Sequence, residues 1–272
     1  MNLYRGCTHG CIYCDSRSDC YQINHDFEDV EIKRDAPRIL EEQLRRRRSR
    51  GMISTGAMCD SYMPMEETLA ITRECLLLIE RYGFGLAIQT KSSRILRDLD
   101  ILKAIHNKAR CVVEMTLTTF DEELCKKIEP NVSTTKERFH TLEAFRDAGI
   151  PTVIWLSPIL PFINDTEENL RGLLDYCVRA EVKAILSFGF GMTLRGGDRE
   201  YYYQKLDELF PHMKERYIET FGNSYSCHSP NDPALRRILK EECAKHGILC
   251  GTDKVFDYIR DFGPAQEQLT LF

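Results

Sequence analysis

Short, fully apolar runs alternate with longer amphipathic stretches through the first two thirds of the chain. Runs of this length and character predict strands that are buried on both faces of a sheet. The predicted strands cover residues 1–4, 52–59, 84–90, 110–118, 152–157 and 183–190. Helical periodicity and helix-start signals predict helices over residues 36–49, 65–82, 99–107, 134–148 and 167–180.

Strands and helices alternate at roughly thirty residues per unit, which predicts parallel strands joined by helical crossovers. The pattern indicates an α/β fold, and it leaves open whether the sheet is doubly wound or curled into a barrel. From residue 200 onward the pattern changes to helical runs over residues 201–221 and 233–246, followed by a strand predicted near residues 251–258. We therefore predict a core over residues 1–195 and an α-rich extension, residues 196–272, packed on it.

Composition limits the class of protein. The chain has 272 residues, of which 43% are apolar, enough for a full hydrophobic core. Its twelve cysteines are scattered, and several fall in apolar runs where a free thiol acts as a small hydrophobe, which favours a reducing cytoplasm. No apolar run is long enough to cross a bilayer. The net charge of −5 argues against undirected nucleic-acid binding, so any such contact must be local.

Three cysteines lie within eight residues near the N-terminus, in the order Cys7-Thr-His-Gly-Cys11-Ile-Tyr-Cys14. Three thiolates leave one position open on a four-iron, four-sulfur cluster, whereas a cluster that mainly carries electrons has four cysteines. A structural zinc site needs four ligands, so zinc would require Cys20 or a distant partner. The motif favours an open cluster. A non-catalytic module that holds zinc or a redox-sensing cluster is the alternative.

Polar residues interrupt the apolar runs where several predicted strands end. In parallel α/β barrels, functional side chains lie at the carboxyl ends of the strands. By this rule Gly56 and Asp60 after the second strand, Lys91 after the third and Thr118 after the fourth are candidates. Each also has a simple explanation as a turn glycine, a helix cap, a solvated charge or a strand residue. Only together do they indicate a binding site.

The cysteine spacing, with Tyr13 just before the last cysteine, resembles that of the radical S-adenosylmethionine (radical SAM) superfamily. Residues 2–17 are similar to the spore photoproduct lyase-like branch, which reads Asn-x-Tyr-Arg-Gly-Cys-x-His-Gly-Cys-x-Tyr-Cys-Asp-x-Arg. Residues 60–66 match its Asp-x-Tyr-x-Pro-x-Glu motif, and residues 90–92 match its Thr-Lys-Ser. The resemblance therefore spans at least residues 2–161. Because only six residues precede Cys7, we expect the native beginning of the chain to be missing.

The resemblance implies an open, partial (β/α)6 barrel with the cluster loop after the first strand. It also implies a [4Fe-4S] cluster, bound S-adenosylmethionine and a reducing partner such as flavodoxin or ferredoxin. In the superfamily the cofactor is contacted from the end of strand two, from strands four and five and by a neighbouring cation. The cluster ligands so implied are Cys7, Cys11 and Cys14, and the implied cofactor contacts are Tyr13, Gly56, Asp60, Lys91 and Thr118.

The activity implied by the resemblance is reductive cleavage of S-adenosylmethionine to a 5′-deoxyadenosyl radical that abstracts hydrogen from a substrate. Founding members of the branch reverse a thymine dimer in spore DNA and return the hydrogen through a cysteine thiol. Cys59 stands where such a thiol is expected, although it is equally well explained as a small buried hydrophobe. The resemblance thus predicts a lyase-like enzyme, with a DNA lesion, a peptide or a small metabolite as candidate substrates.

Overall fold

The chain folds into alternating strands and helices, which the computed structural model describes for residues 1–262. The strands are β1 (Tyr4–Arg5), β2 (Glu31–Ile32), β3 (Met52–Thr55), β4 (Gly85–Thr90), β5 (Cys111–Thr116), β6 (Thr152–Trp155), β7 (Ala184–Leu186), β8 (Gly191–Thr193), β9 (Ser226–His228) and β10 (Leu249–Cys250). The α-helices are α1 (Ala36–Arg46), α2 (Glu66–Leu69), α3 (Ile71–Tyr82), α4 (Leu99–Lys108), α5 (Glu122–Ile128), α6 (Thr135–Asp147), α7 (Glu167–Arg179), α8 (Asp198–Leu209), α9 (Met213–Phe221), α10 (Asp232–His246) and α11 (Thr252–Arg260).

A six-stranded parallel sheet in the order β3-β4-β5-β6-β7-β10 forms the centre of the fold. Every neighbouring pair in it is parallel, and helical segments connect the successive strands. The sheet stays open between β3 and β10. These features confirm the predicted α/β class and the partial barrel. No helix within residues 1–262 is both long and apolar enough to cross a membrane.

The prediction for the first strand was wrong. β1 pairs with β2 in an antiparallel ribbon outside the parallel sheet. The sixth parallel strand is β10, which lies beside β7 and comes from the expected extension. A two-residue strand has too few positions to give a hydrophobic pattern, which is why it escaped prediction. Residues 263–272 of the expected extension lie outside the described residues.

The strand predicted near residues 251–258 was also wrong, because this segment forms α11. Val255 and Ile259 lie four residues apart on one side of that helix, and both are buried. They pack on the inner face of the sheet, against Ala87, Val112, Val153, Ala184 and Leu186. The outer face packs on the other side, mainly against α3, α4, α6, α7 and α10. α11 therefore covers part of the inner face.

The other predicted elements are confirmed with shifted ends. The helix predicted over residues 65–82 is divided into α2 and α3 at Ala70, whose φ of 53° lies in the left-handed region. The run predicted over residues 201–221 is likewise divided into α8 and α9. α5 and the antiparallel pairing of β8 with β9 were not predicted. Residues of both strands line a cavity at the carboxyl end of the sheet.

Candidate active site

The three N-terminal cysteines line one cavity at the carboxyl end of the sheet. Cys7, Cys11 and Cys14 share its wall with Cys59 and Lys91. All of these cysteines are free thiols, and only Cys14 among them is more than slightly exposed. Residues that are far apart in the sequence therefore meet at the point where β3, β4 and β5 end, as expected for a parallel α/β fold.

The segment that carries the cysteines, the cysteine loop (residues 7–14), contains no helix or strand. Because such a segment gains no support from a regular hydrogen-bond ladder, its backbone groups need other partners. Neighbouring backbone supplies three of them: Cys7 N donates to Phe27 O (2.9 Å), Ile12 N donates to Ile128 O (3.0 Å), and His9 O accepts from Asn131 N (3.2 Å).

A buried ion pair lies beneath the cysteine loop. Glu129 and Arg138 are both fully buried, and the hydroxyl of Tyr13 donates a hydrogen bond to Glu129. Arg138 also donates to the carbonyl groups of Thr116 (2.8 Å) and Ser133 (2.7 Å). Burial by itself raises the pKa of Glu129, but Arg138, Lys91 and the Tyr13 hydroxyl together outweigh it, so that the pKa is lowered and the carboxylate stays charged. The sequence motif gave no sign of this pair.

Asp60 organises the corner between β3 and β4. Its Oδ1 accepts hydrogen bonds from the Tyr62 amide (2.8 Å) and the Thr90 hydroxyl (2.7 Å), and its Oδ2 accepts one from the Lys91 amide (2.7 Å). Nδ1 of His9 lies 3.5 Å from the same Oδ2. Burial lowers the pKa of His9 despite this carboxylate, which favours the neutral imidazole. Asp60 therefore holds parts of the cavity wall in place.

Lys91 carries an ammonium group with no hydrogen bond or ion pair among the described residues. Its side chain is partly buried and lines both this cavity and a larger neighbour. Burial by itself lowers the pKa of Lys91, but Cys11 and Glu129 outweigh it and the net pKa is raised, so the group is charged. A charged ammonium whose N–H donors bind no described residue is available to an anionic ligand.

Gly56 is required by the close approach of two strand ends. Its φ is +97°, and a Cβ atom at this position would lie 2.0 Å from the carbonyl oxygen of Gln89. No side chain fits at that distance, and left-handed backbone is costly for any residue but glycine. The backbone after β3 therefore passes directly over the end of β4, beside the cysteine loop.

Cys59 lies in the loop after β3 and is 5% exposed. Its thiol donates a hydrogen bond to the Tyr4 carbonyl oxygen at 3.1 Å. Burial raises the pKa of Cys59 to about 11, so the group remains a protonated thiol at neutral pH. Cys59 lines the cysteine cavity, and its role as a hydrogen donor stays a prediction.

Thr118 lies just beyond the end of β5 and does not line either cavity. It is fully buried, and its carbonyl oxygen accepts hydrogen bonds from Asn164 (2.8 Å) and Asn169 (3.1 Å). Thr116, two residues earlier, lines the cysteine cavity instead, and its buried hydroxyl has no partner within residues 1–262. The pattern located the end of this strand only to within two residues.

A larger cavity of about 440 Å³ adjoins the cysteine cavity and shares Cys14 and Lys91 with it. Its size is within the range of small-molecule sites. The aromatic residues in its wall are Tyr13, Tyr21, Trp155 and Phe188, and we call it the aromatic cavity. Trp155 donates its indole N–H to Glu114, a buried carboxyl on β5 whose pKa is raised by burial. Neither Trp155 nor Glu114 stood out in the sequence.

Comparison with known families identifies the superfamily. The family model described as "Radical SAM superfamily" matches residues 1–177 of the chain. The chain belongs to the radical SAM superfamily. A radical SAM protein uses a [4Fe-4S] cluster and S-adenosylmethionine, so these are its cofactors.

Relatives and solved structures extend this result. The radical SAM chain is 28% identical over 250 residues to the uncharacterized protein Rv2578c of Mycobacterium tuberculosis, covering 90% of this chain and 72% of that protein. It is 27% identical over 250 residues to the uncharacterized protein MJ0683 of Methanocaldococcus jannaschii, covering 91% and 88%. A spore photoproduct lyase variant superposes with a TM-score of 0.62 at 14% identity, covering 90% of this chain and 73% of the other. Spore photoproduct lyase complexed with a dinucleoside spore photoproduct gives 0.60 at 15%, covering 90% and 72%. At such identities the likeness shows a shared fold.

The residues of this radical SAM chain fit the cluster better than a single metal ion. Within residues 1–262, no three His, Cys, Asp or Glu side chains form a group that could hold one ion. A cube takes each cysteine on a different iron, so its ligands line a cavity instead of meeting at one point. Thiolates are also the soft ligands that such clusters prefer. Three thiols around one cavity, with an unpaired ammonium beside them, provide that arrangement.

Proposed function

We propose that this radical SAM enzyme abstracts hydrogen from a substrate held in the aromatic cavity, and that the substrate is a DNA lesion. The bound cluster and S-adenosylmethionine together supply the 5′-deoxyadenosyl radical that performs the abstraction. One observation carries the proposal: the motif cysteines and the unpaired ammonium of Lys91 line one cavity, which opens beside a second, aromatic one. The protein's task is to bind, orient and shelter the reacting groups.

The cluster would be held by Cys7, Cys11 and Cys14, which line one cavity. Lys91 would pair with the carboxylate of S-adenosylmethionine, since an unpaired ammonium is the natural partner of an anion. Gly56 lines the same cavity, and backbone carbonyl groups beside it would accept hydrogen bonds from the cofactor's amino group.

The remaining cofactor contacts are proposed in the same way. Asp60, which the resemblance implied as a cofactor contact, is proposed instead to position Lys91, because its Oδ2 accepts the Lys91 amide hydrogen. Tyr13 would pack near the adenine, since this residue lines the aromatic cavity. At the end of β5 we propose Thr116 in place of Thr118, because only Thr116 lines the cysteine cavity; the hydroxyl groups of both are buried without a partner within residues 1–262.

Cys59 is our candidate for the residue that returns a hydrogen atom to the substrate. In that step its S–H bond breaks homolytically and a C–H bond forms on the substrate radical, which leaves a thiyl radical on Cys59. The step needs a protonated thiol, and burial raises the pKa of Cys59 to about 11. The thiol also lies in the wall of the cavity where the cofactors would bind.

A nucleobase substrate is supported by the walls of the aromatic cavity. Bases stack on aromatic side chains whatever their sequence, and four such side chains line this cavity. A lesion in duplex DNA would have to be turned out of the base stack to enter the cavity.

We propose a cytoplasmic location for the enzyme, where a flavodoxin or ferredoxin would reduce the cluster. All twelve cysteines are free thiols, which supports a reducing compartment.

The test is anaerobic reconstitution of the full chain with iron and sulfide, followed by reduction in the presence of S-adenosylmethionine. We expect about four irons per chain, a change in the paramagnetic spectrum on adding S-adenosylmethionine, and release of 5′-deoxyadenosine. Cys11→Ser should lose the cluster. Cys20→Ser, which removes an exposed thiol outside both cavities, should keep it.

Two results would contradict the proposal. Iron binding without any spectral change on adding S-adenosylmethionine would support a sensor instead of an enzyme. Oligonucleotides with and without a spore photoproduct lesion test the substrate, and we expect the lesion alone to stimulate cofactor cleavage. Equal cleavage with both would reject a DNA substrate and direct the search to peptides and small metabolites.

A further inference from the structure

The ion pair between Glu129 and Arg138 is fully buried and connects several segments of the fold. Both side chains have no solvent exposure. Removing two charges from water costs about as much as their attraction returns, so buried pairs are weak evidence for stability. Such a pair is better explained by the geometry that it imposes on its neighbours. Its neighbours are the cysteine loop and the end of β5.

Each hydrogen-bonding group of the pair reaches a different segment. One oxygen of Glu129 accepts from Arg138, and the other accepts from the Tyr13 hydroxyl, next to Cys14. The remaining guanidinium donors of Arg138 bind the Ser133 carbonyl at 2.7 Å and the Thr116 carbonyl at 2.8 Å. The pair thus connects α5, α6, β5 and the cysteine loop at one buried point.

Neutral contacts attach the same side of the loop to the segment between α5 and α6. The Ile12 amide donates to the Ile128 carbonyl at 3.0 Å, and the Asn131 side chain donates to the Thr8 carbonyl at 3.0 Å. The loop has no helix or strand of its own. Ordering such a segment costs about 1–2 kcal/mol per residue, a cost that would otherwise fall on the binding step.

We propose that Glu129, Arg138 and the Tyr13 hydroxyl form a clamp that fixes the cysteine loop in its ligating conformation before iron binds. The inference rests on the proposed role of Cys7, Cys11 and Cys14 as cluster ligands. The clamp residues are positioning residues: they order the loop and touch no iron. Preorganisation lowers the cost of assembling the cluster and slows its loss.

Tyr13→Phe tests the clamp, because it removes one hydroxyl and leaves the ring. Tyr202→Phe is the matched control: Tyr202 is also buried, in the same apolar cluster as Tyr13, but its hydroxyl donates to Tyr217 at 3.0 Å and not to Glu129. Hydrogen exchange is measured by mass spectrometry on the iron-free proteins. We expect the two substitutions to lower the melting temperature by similar amounts. Peptides covering residues 7–17 should exchange about tenfold faster in Tyr13→Phe alone, the effect of losing one hydrogen bond to a charged group.

A second readout follows iron in the reconstituted proteins. Loss of iron to a chelator should be several-fold faster in Tyr13→Phe than in Tyr202→Phe and the wild type. Equal exchange in the two variants overturns the clamp, and so does faster exchange with unchanged iron retention. Failure of the wild type to bind iron would instead reject the cluster ligands, while the exchange experiment on the iron-free protein still decides whether the loop is clamped.

Discussion

Lys91→Met is the most informative single substitution in the proposed cofactor site. It removes an ammonium that has no hydrogen bond or ion pair among the described residues and keeps an unbranched side chain of similar reach. If Lys91 binds the carboxylate of S-adenosylmethionine, its loss weakens the binding of that cofactor. Because the raised pKa of Lys91 means that the folded protein favours the ammonium, the substitution should lower the stability of the iron-free protein slightly.

The expected magnitude follows from the kind of contact that is lost. A hydrogen bond to a charged group contributes about 1.5–3 kcal/mol. With 1.4 kcal/mol per tenfold in affinity, the dissociation constant of S-adenosylmethionine should rise by about ten- to a hundred-fold. A large loss of cofactor binding with only a small loss of stability distinguishes a role in binding from a structural one.

The assay is equilibrium dialysis of labelled S-adenosylmethionine against the anaerobically reconstituted protein, together with thermal unfolding of the iron-free form. Lys103→Met, which changes an exposed lysine on α4, is the matched control and should leave both measurements unchanged. If Lys91→Met binds the cofactor within twofold of the wild type, the assigned role of Lys91 is wrong.

Three further predictions concern single residues. Gly56→Ala places a Cβ 2.0 Å from a β4 carbonyl oxygen at positive φ and should lower the free energy of unfolding in urea by about 2–5 kcal/mol. Gly149→Ala, at positive φ in open space, should lower it by about 1–2 kcal/mol. Equal losses in the two variants would disprove the clash. Because burial raises the pKa of Glu114, the folded state binds its proton more tightly than the unfolded state, and stability falls as pH rises from the ordinary glutamate pKa through the raised one. Glu114→Gln should therefore gain stability relative to the wild type at neutral but not at acid pH, as followed by the single tryptophan's fluorescence, and a pH-independent difference would contradict the assignment. Cys59→Ala should still release 5′-deoxyadenosine but should change the products formed from the substrate; an unchanged product distribution would remove Cys59 as the hydrogen donor.

The parallel sheet was predictable because its strands are buried on both faces. β4 and β5, for example, have buried residues at nearly every position, which gives runs that a sequence pattern detects. β1 and β10 are two residues long, and only the folded chain shows which partner each takes. α11 was mistaken for a strand because its buried Val255 and Ile259 lie among residues that also favour strands.

The candidate site was predictable where its chemistry is local in the sequence. The three cysteines lie within eight residues, and their spacing alone indicated the cluster. The clamp joins Tyr13 to a carboxylate 116 residues away, and the indole of Trp155 reaches a carboxylate 41 residues away. Partners at such distances in the chain are fixed by the fold, and no motif records them.

The helix α11, the last helix of the described chain, packs on the sheet that carries the candidate active site. Its apolar side packs on the inner face of the sheet, whose carboxyl end carries both cavities. A chain that stopped before Thr252 would leave that face open to water from beneath. Solvent and small thiols could then approach a reactive carbon-centred species from a second direction. Protection of the radical reaction at the carboxyl end of the sheet would thus depend on α11, a helix near the C-terminus of the chain.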